Sequence, residues 1–279
     1  MKYKINLIVL WVLFAINPVF SQTMPQPEPK TTEYATREAE LWGNYNMEFY
    51  QKDGSFWFAE TNFRYSFFRY ATNLPATPFF RVQQKLGYEK YLDKNWSLGF
   101  SVRGIFEKQE TKLFTQLYLS HVSNISKQNI ELIKNLSFER IDSDRQNAKI
   151  ESRVTLGLAL AKNFAIGGKP CLRPIISYEV FMMHYWLLNT HSLYNRRTFD
   201  MSRLRVELAY LVRQNLSISL YYMAQTEFFV AEPNYDSNGN ELSPYRNLNI
   251  TTPIFGLRVH LRLFNDKKQE NLRLRFLSY

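Results

Sequence analysis

The feature that most constrains this chain is residues 199–230, FDMSRLRVELAYLVRQNLSISLYYMAQTEFFV, where side-chain character alternates with period two. Leu204, Val206, Leu208, Tyr210 and Val212 fall on one face, and Met201, Arg203, Arg205, Glu207 and Ala209 on the other. After the polar break Arg213-Gln214-Asn215, the alternation resumes with Leu216, Ile218, Leu220 and Tyr222 against Ser217, Ser219, Tyr221 and Gln225. Successive side chains of a β-strand point to opposite faces, so this reads as a hairpin with one apolar and one polar face. Its arms, roughly ten to fifteen residues each, exceed the usual five or six of soluble strands. They are long enough for a tilted strand to cross a bilayer, which takes about nine to eleven.

The N-terminus gives this length a context. Lys2 and Lys4 precede an apolar run over residues 5–16, and Val19 and Ser21 are small enough for the −3 and −1 positions of a cleavage site before Gln22. Residues 1–21 thus read as a secretory signal peptide; the apolar run is shorter than a spanning helix requires. No Cys follows the site to carry a lipid anchor. No second long apolar run appears, so a membrane-spanning mature chain must be a closed barrel. A mean hydropathy of −0.35 is compatible with this, because every other barrel residue can be polar.

The rest of the chain repeats the hairpin pattern. Residues 22–40, with Pro25, Pro27 and Pro29, read as an exposed N-terminal tail or linker. Strands are expected over 41–51, 55–70, 79–91 and 96–106, separated by Lys52-Asp53-Gly54, by Asn73, Pro75 and Pro78, and by Asp93-Lys94-Asn95. Residues 112–122 and 130–141 look like two more, although the spacing around 123–129 also fits helix. Strands follow at 149–162 and 171–187, where Pro174 suggests a strand start or bulge. After the hairpin and a long connection over 231–248 come 249–264 and 272–279. The expectation is one all-β domain over residues 41–279, an antiparallel transmembrane barrel of about twelve strands, with 10–14 compatible.

Charge fills the second face. The chain has 35 Lys+Arg against 25 Asp+Glu, and export argues against nucleic acid as the partner of this basic balance. The polar faces carry Arg64, Arg81, Arg103, Arg153, Arg203, Arg205, Arg258, Arg262, Arg273 and Arg275, with His260, Glu60, Glu89, Glu151, Glu179 and Glu207 among them. If the apolar face meets lipid, these residues line the lumen. There they form either a salt-bridged plug or, since Arg outnumbers Glu, an anion-favouring pore. Outer-membrane lipid is the expected partner, as are the barrel-assembly machinery and, for an open lumen, small anionic solutes.

Other chemistry is poorly supported. Cys171 is the single cysteine, which excludes an intramolecular disulfide and a Cys-based zinc cluster. His121, His184, His191 and His260 are scattered, and the 236–241 stretch DSNGNE lacks calcium-loop spacing, so no metal or cofactor is expected. Ser177, Glu179 and His184 are close in sequence, but parity puts His184 on the opposite face, so no catalytic residue is assigned. A lipid-modifying barrel enzyme and a secreted soluble β-sandwich binding protein are the alternatives.

Several stretches together resemble uncharacterised outer-membrane β-barrels of Gram-negative bacteria, known only as a domain of unknown function. They are Leu41-Trp42, RLRVELAYLVRQNLSISLYY, Glu227-Phe228-Phe229, Tyr245-Arg246-Asn247 and IFGLRVHLRL. The resemblance covers most of the mature chain through loose motifs. It implies an outer-membrane barrel of no established activity. Tyr279 fits the aromatic C-terminal residue of such barrels, yet Arg275 and Arg273 stand where apolar residues would be expected. With both ends in the periplasm, odd-numbered connections should be the long outer loops. Here Lys52 to Gly54, Asp93 to Asn95 and Arg213 to Asn215 are short, and the longest connection falls on the periplasmic side.

Overall fold

The computed structural model describes residues 31–66, 81–106, 111–125, 130–143, 151–166, 169–185, 199–213, 215–231, 233–238, 241–243 and 246–264. Every regular element among them is a strand. In chain order these are β1 (Thr31–Thr36), β2 (Glu40–Tyr50), β3 (Phe56–Ser66), β4 (Arg81–Tyr91), β5 (Trp96–Phe106), β6 (Thr111–Asn124), β7 (Ile130–Ser143) and β8 (Glu151–Lys162). They continue with β9 (Phe164–Ile166), β10 (Lys169–Tyr185), β11 (Met201–Arg213), β12 (Leu216–Ala231), β13 (Asn234–Tyr235), β14 (Glu241–Ser243) and β15 (Arg246–Phe264).

Eleven of them close into a barrel, in the order β2-β3-β4-β5-β6-β7-β8-β10-β11-β12-β15, and β15 returns to β2. A closed sheet leaves no edge among its staves, and the soluble two-sheet sandwich is thereby ruled out as the fold. Neighbouring staves are antiparallel except at the seam, where Ile254↔Glu40 through Phe264↔Tyr50 run parallel. An odd number of staves means an even number of antiparallel steps between the first and the last, so these two point the same way. The described staves therefore begin and end at opposite ends of the barrel, and the two chain ends lie outside the described residues. The connections 51–55, 92–95, 125–129, 163–168 and 214–215 all lie at one end, the short-turn end. The strand ends joined through 67–80, 107–110, 144–150, 186–200 and 232–245 lie at the other, the long-loop end, so called for the longest of these stretches.

The hairpin is as the alternation requires. β11 and β12 pair from Met201↔Glu227 to Tyr210↔Ile218, with a shift in register between Leu211 and Arg213. The ambiguous 112–141 region is, apart from Ile125, strand in its described part, pairing Asn124↔Glu131 to Lys112↔Ser143. Pro174 is neither a strand start nor a bulge. It lies inside β10 opposite Leu208, one residue before the ladder to β8 begins at Ile175↔Ala161. Part of the stretch read as a tail also pairs, because β1 runs parallel to β15 from Thr31↔Arg246 to Thr36↔Thr251. The connection after β12 is shorter than expected, since β15 begins at Arg246, and it carries the small β13–β14 ladder. The expected strand at 272–279 lies outside the described residues.

One turn shows why the staves end where they do. Gly54 takes φ +86, a left-handed conformation that costs glycine little. Gln51 and Ser55 close the loop, the Gln51 amide donating to the Ser55 carbonyl at 2.7 Å. Asp53 accepts from the Ser55 amide at 3.0 Å, the side-chain capping expected of Asp in a turn.

The two faces of the sheet differ sharply. Outward positions carry a continuous belt of exposed apolar side chains, including Trp57, Leu86, Phe100, Leu117, Leu158, Leu208 and Leu257. On β15 the belt runs from Phe255 to Leu263, and beyond it the same face turns polar with Thr251, Asn249 and Asn247. Nine residues at about 3.3 Å each, tilted as barrel strands are, give a belt roughly 20 Å tall, close to the band of membrane barrels. β1 and the adjoining ends of β12 and β15 extend past it at the long-loop end. The molecule's core is the barrel interior.

Candidate functional site

The inward face is polar yet buried, which makes it the one place where this fold concentrates chemistry. Alternation aims every second residue of each stave inward, and closure brings groups from strands far apart in sequence together. At the short-turn end the interior is aromatic: Tyr50, Phe56, Phe58 and Tyr118 form one buried cluster, with Tyr91 and Phe264 against it. The Tyr50 and Phe56 rings lie 4.8 Å apart, and Phe56 is 0% exposed.

Three rings lie flat on the wall opposite a glycine. Tyr118 faces Gly99, Phe58 faces Gly87 and Tyr221 faces Gly256, each directly across a ladder. A Cβ at any of these glycines would overlap the ring. This is the pairing by which an aromatic side chain covers a glycine in a curved sheet.

Below the aromatic end the interior is held by ion pairs. The Tyr50 hydroxyl donates to Glu48 Oε2 at 2.8 Å, His260 Nε2 lies 3.0 Å from that oxygen, and Arg262 Nε lies 3.8 Å from it. Glu89 accepts from Ser97 Oγ at 2.6 Å and from the Tyr118 hydroxyl at 2.9 Å. Arg173 pairs with Glu131 at 3.0 Å. At mid-height Glu207 holds Arg205 at 2.6 Å and Arg258 at 3.0 Å, while the Arg205 guanidinium stacks 3.9 Å from the Tyr221 ring. Towards the long-loop end Glu139 bridges Arg103, at 2.6 Å, and Arg153. Arg153 and Arg203 both lie 4.8 Å from the Phe181 ring, and Arg203 lies 3.9 Å from Glu179.

Among the residues anticipated from sequence, Arg64, Arg103, Arg203, Arg205, Glu207, Arg258, His260 and Arg262 are all buried on this face. Arg81 and Arg153 are half-buried there. Arg273 and Arg275 lie outside the described residues. Glu60, Glu89 and Glu179 are buried with them. The structure does not gather these groups into one pocket; it distributes them in separate pairs along the barrel axis.

Arg64 differs from the others. Its Nε donates to Asn62 Oδ1 at 2.9 Å, its Nη2 to Gln83 Oε1 at 3.3 Å, and its guanidinium sits 3.7 Å over the Trp42 ring. No described carboxylate lies within ion-pair distance of it.

Sequence reasoning put Arg173 on the polar face of its strand but did not single out Glu48, Glu131 and Glu139. Glu48 was within reach: on β2 it shares parity with Trp42, Asn44 and Asn46 against the apolar face. Glu139 was harder, since Lys134, Glu139 and Arg140 scatter charge over both faces of β7. Parity there follows only from the ladder to β8.

The chain matches no protein-family model and no curated protein sequence.

Proposed function

We propose that this protein is an integral outer-membrane β-barrel with a structural role, its interior closed by ion pairs and aromatic rings. The observation that carries the reading is the exposed apolar belt around a closed barrel whose charges are turned inward. In water such a belt would be a very large apolar surface, far beyond the few hundred Å² a soluble monomer exposes. In lipid it is the expected outer face. The leader-like N-terminus and the resemblance to outer-membrane barrels support the same placement. The closed state is supported by burial: inward side chains from Glu48 and Phe56 near one end to Glu139 and Arg203 towards the other are buried.

Expression of the full chain and fractionation of the envelope tests this. The mature protein is expected in the detergent-extracted outer membrane, migrating faster on a gel before boiling than after. A mature chain that is soluble and monomeric without detergent contradicts it.

A second reading, an anion-favouring pore, draws on Arg64, a buried cation whose described hydrogen-bond partners are both neutral. Planar-bilayer recording separates the two. The closed interior predicts no steady conductance, whereas anion-selective channel events lost in Arg64→Gln would establish the pore. Catalysis is no part of either reading: Ser177 and Glu179 are buried in the wall, away from any lipid-facing surface.

A further inference from the structure

The outer rim at the short-turn end is basic and aromatic, and neither property is explained by closing the barrel. Lys90 and Lys134 are exposed on the outward face in the halves of β4 and β7 nearer the short turns, and Arg213 and Lys162 mark the ends of β11 and β8. Lys52 and Lys94 stand in the turns above. Of the described acids at this end, Glu131 pairs with Arg173, and Asp53, which also feels Lys90, and Asp93 accept hydrogen bonds within their own turns. Asp53 accepts from the Ser55 amide at 3.0 Å, and Asp93 from the Asn95 and Trp96 amides at 2.6 and 2.8 Å.

The opposite end is built differently. There Arg37 pairs with Glu227 at 3.0 Å, Arg246 with Glu33 at 3.1 Å, and Arg140 with Asp142 at 2.9 Å. Aromatic rings sit among the cations of the short-turn rim. Trp57 and Tyr88 stack at 4.9 Å, Trp96 and His121 at 4.4 Å, and Lys162 Nζ lies 5.1 Å from the exposed Phe164 ring. Amphipathic rings settle at the headgroup level, and long basic side chains beside them lay their stems on apolar surface and lift the charge to the phosphates.

We propose that this rim is a binding collar for acidic phospholipid headgroups. Lys90, Lys134, Lys162 and Arg213 hold the phosphates of anionic lipids in the leaflet that meets the short turns. The proposal rests on the membrane reading above and adds to it a lipid class and a leaflet.

Tryptophan quenching by brominated lipid tests it. The mature chain, with Trp186→Phe to remove the fluorophore that follows β10, is folded into phosphatidylcholine vesicles. These contain an equal fraction of either brominated phosphatidylglycerol or brominated phosphatidylcholine. Trp57 and Trp96 lie at the rim and Trp42 inside the barrel. Quenching by the brominated acidic lipid is expected to be about twofold stronger at low salt, and the difference is expected to close at high salt. Lys90→Gln/Lys134→Gln/Lys162→Gln/Arg213→Gln is expected to abolish the preference, and Arg37→Gln/Arg140→Gln at the other end to retain it. Gel mobility before boiling confirms that each variant is folded. If the fourfold variant does not fold, the single variants Lys90→Gln and Lys134→Gln, each expected to reduce the preference, take its place. Equal quenching by the two lipids, or a preference that survives loss of the cations, overturns the collar while leaving the membrane reading intact. Quenching by neither lipid overturns both.

Discussion

At the residue scale, the interior sets charge against charge and ring against glycine. Glu139 and Glu207 each face two guanidinium groups, so removing either carboxylate takes an ion-pair partner from two cations at once. Breaking a buried pair by deleting one partner costs about 3–5 kcal/mol. Glu139→Ala and Glu207→Ala are therefore expected to lower the unfolding free energy by that order, seen as a lower urea midpoint read from the unboiled gel band. An unchanged midpoint would show that water reaches these pairs. The glycines are equally specific. Gly99→Ala places a methyl where the Tyr118 ring lies, and overpacking of that kind costs about 1–3 kcal/mol. Combining it with Tyr118→Leu should give less than the sum of the two losses, because the clash disappears with the ring. Strict additivity would mean the ring is not seated on the glycine.

At the element scale, strands end where turn chemistry ends them. Asp53 and Asp93 are held below the usual carboxylate range, Asp53 chiefly by the Ser55 hydroxyl and amide, Asp93 by the Asn95 and Trp96 amides. A carboxyl with a depressed folded-state pKa stabilises above its unfolded value, 3.8 here, and that contribution is lost as pH falls through the folded value. Amide exchange at Ser55, Asn95 and Trp96 is thus expected to stay slow at neutral pH and to quicken, relative to the intrinsic rate, only below about pH 4. Asp53→Asn and Asp93→Asn should flatten that dependence, and a profile identical to wild type would remove the carboxylates from the account.

The staves were legible from alternation because one face is apolar and the other polar over the whole crossing. Residues 96–106 and 201–213 needed nothing else. Alternation says less where polarity stops reporting the face. Residues 31–36 are exposed on both sides and polar, so no period marks their pairing with β15. The extension of β15 to Arg246 follows from that same polar ladder beyond the belt. Pro174 looked like a break because sequence cannot say where a neighbour's ladder stops, and here the β8 ladder begins one residue later.

At the scale of the whole molecule, closure is what no local pattern contains. The seam between β15 and β2 is parallel, and it alone decides that eleven staves close the barrel, the first beginning and the last ending at opposite ends. The same closure turns a set of polar faces into a packed interior. Sequence parity placed Arg203, Arg205, Arg258 and Arg262 on one face; Arg205 pairs with Glu207 on its own strand, but the partners of Arg203, Arg258 and Arg262 come from other strands and appear only in the folded sheet. The two ends then acquire different characters, short turns with a basic aromatic rim at one and extended strands with paired charges at the other.

The central claim is that the apolar face of the staves meets lipid while the charged face is sealed inside. Nitroxide labels placed one at a time along β11, at residues 203–210 in a Cys171→Ser background and in lipid vesicles, test it directly by their collision with oxygen and with a water-soluble nickel chelate. The expected result is strict period-two alternation. Labels at Leu204, Val206, Leu208 and Tyr210 should collide with oxygen, and those at Arg203, Arg205, Glu207 and Ala209 with neither reagent. Chelate collisions at the second set would show a water-filled interior, and the absence of alternation would contradict a membrane-spanning stave altogether.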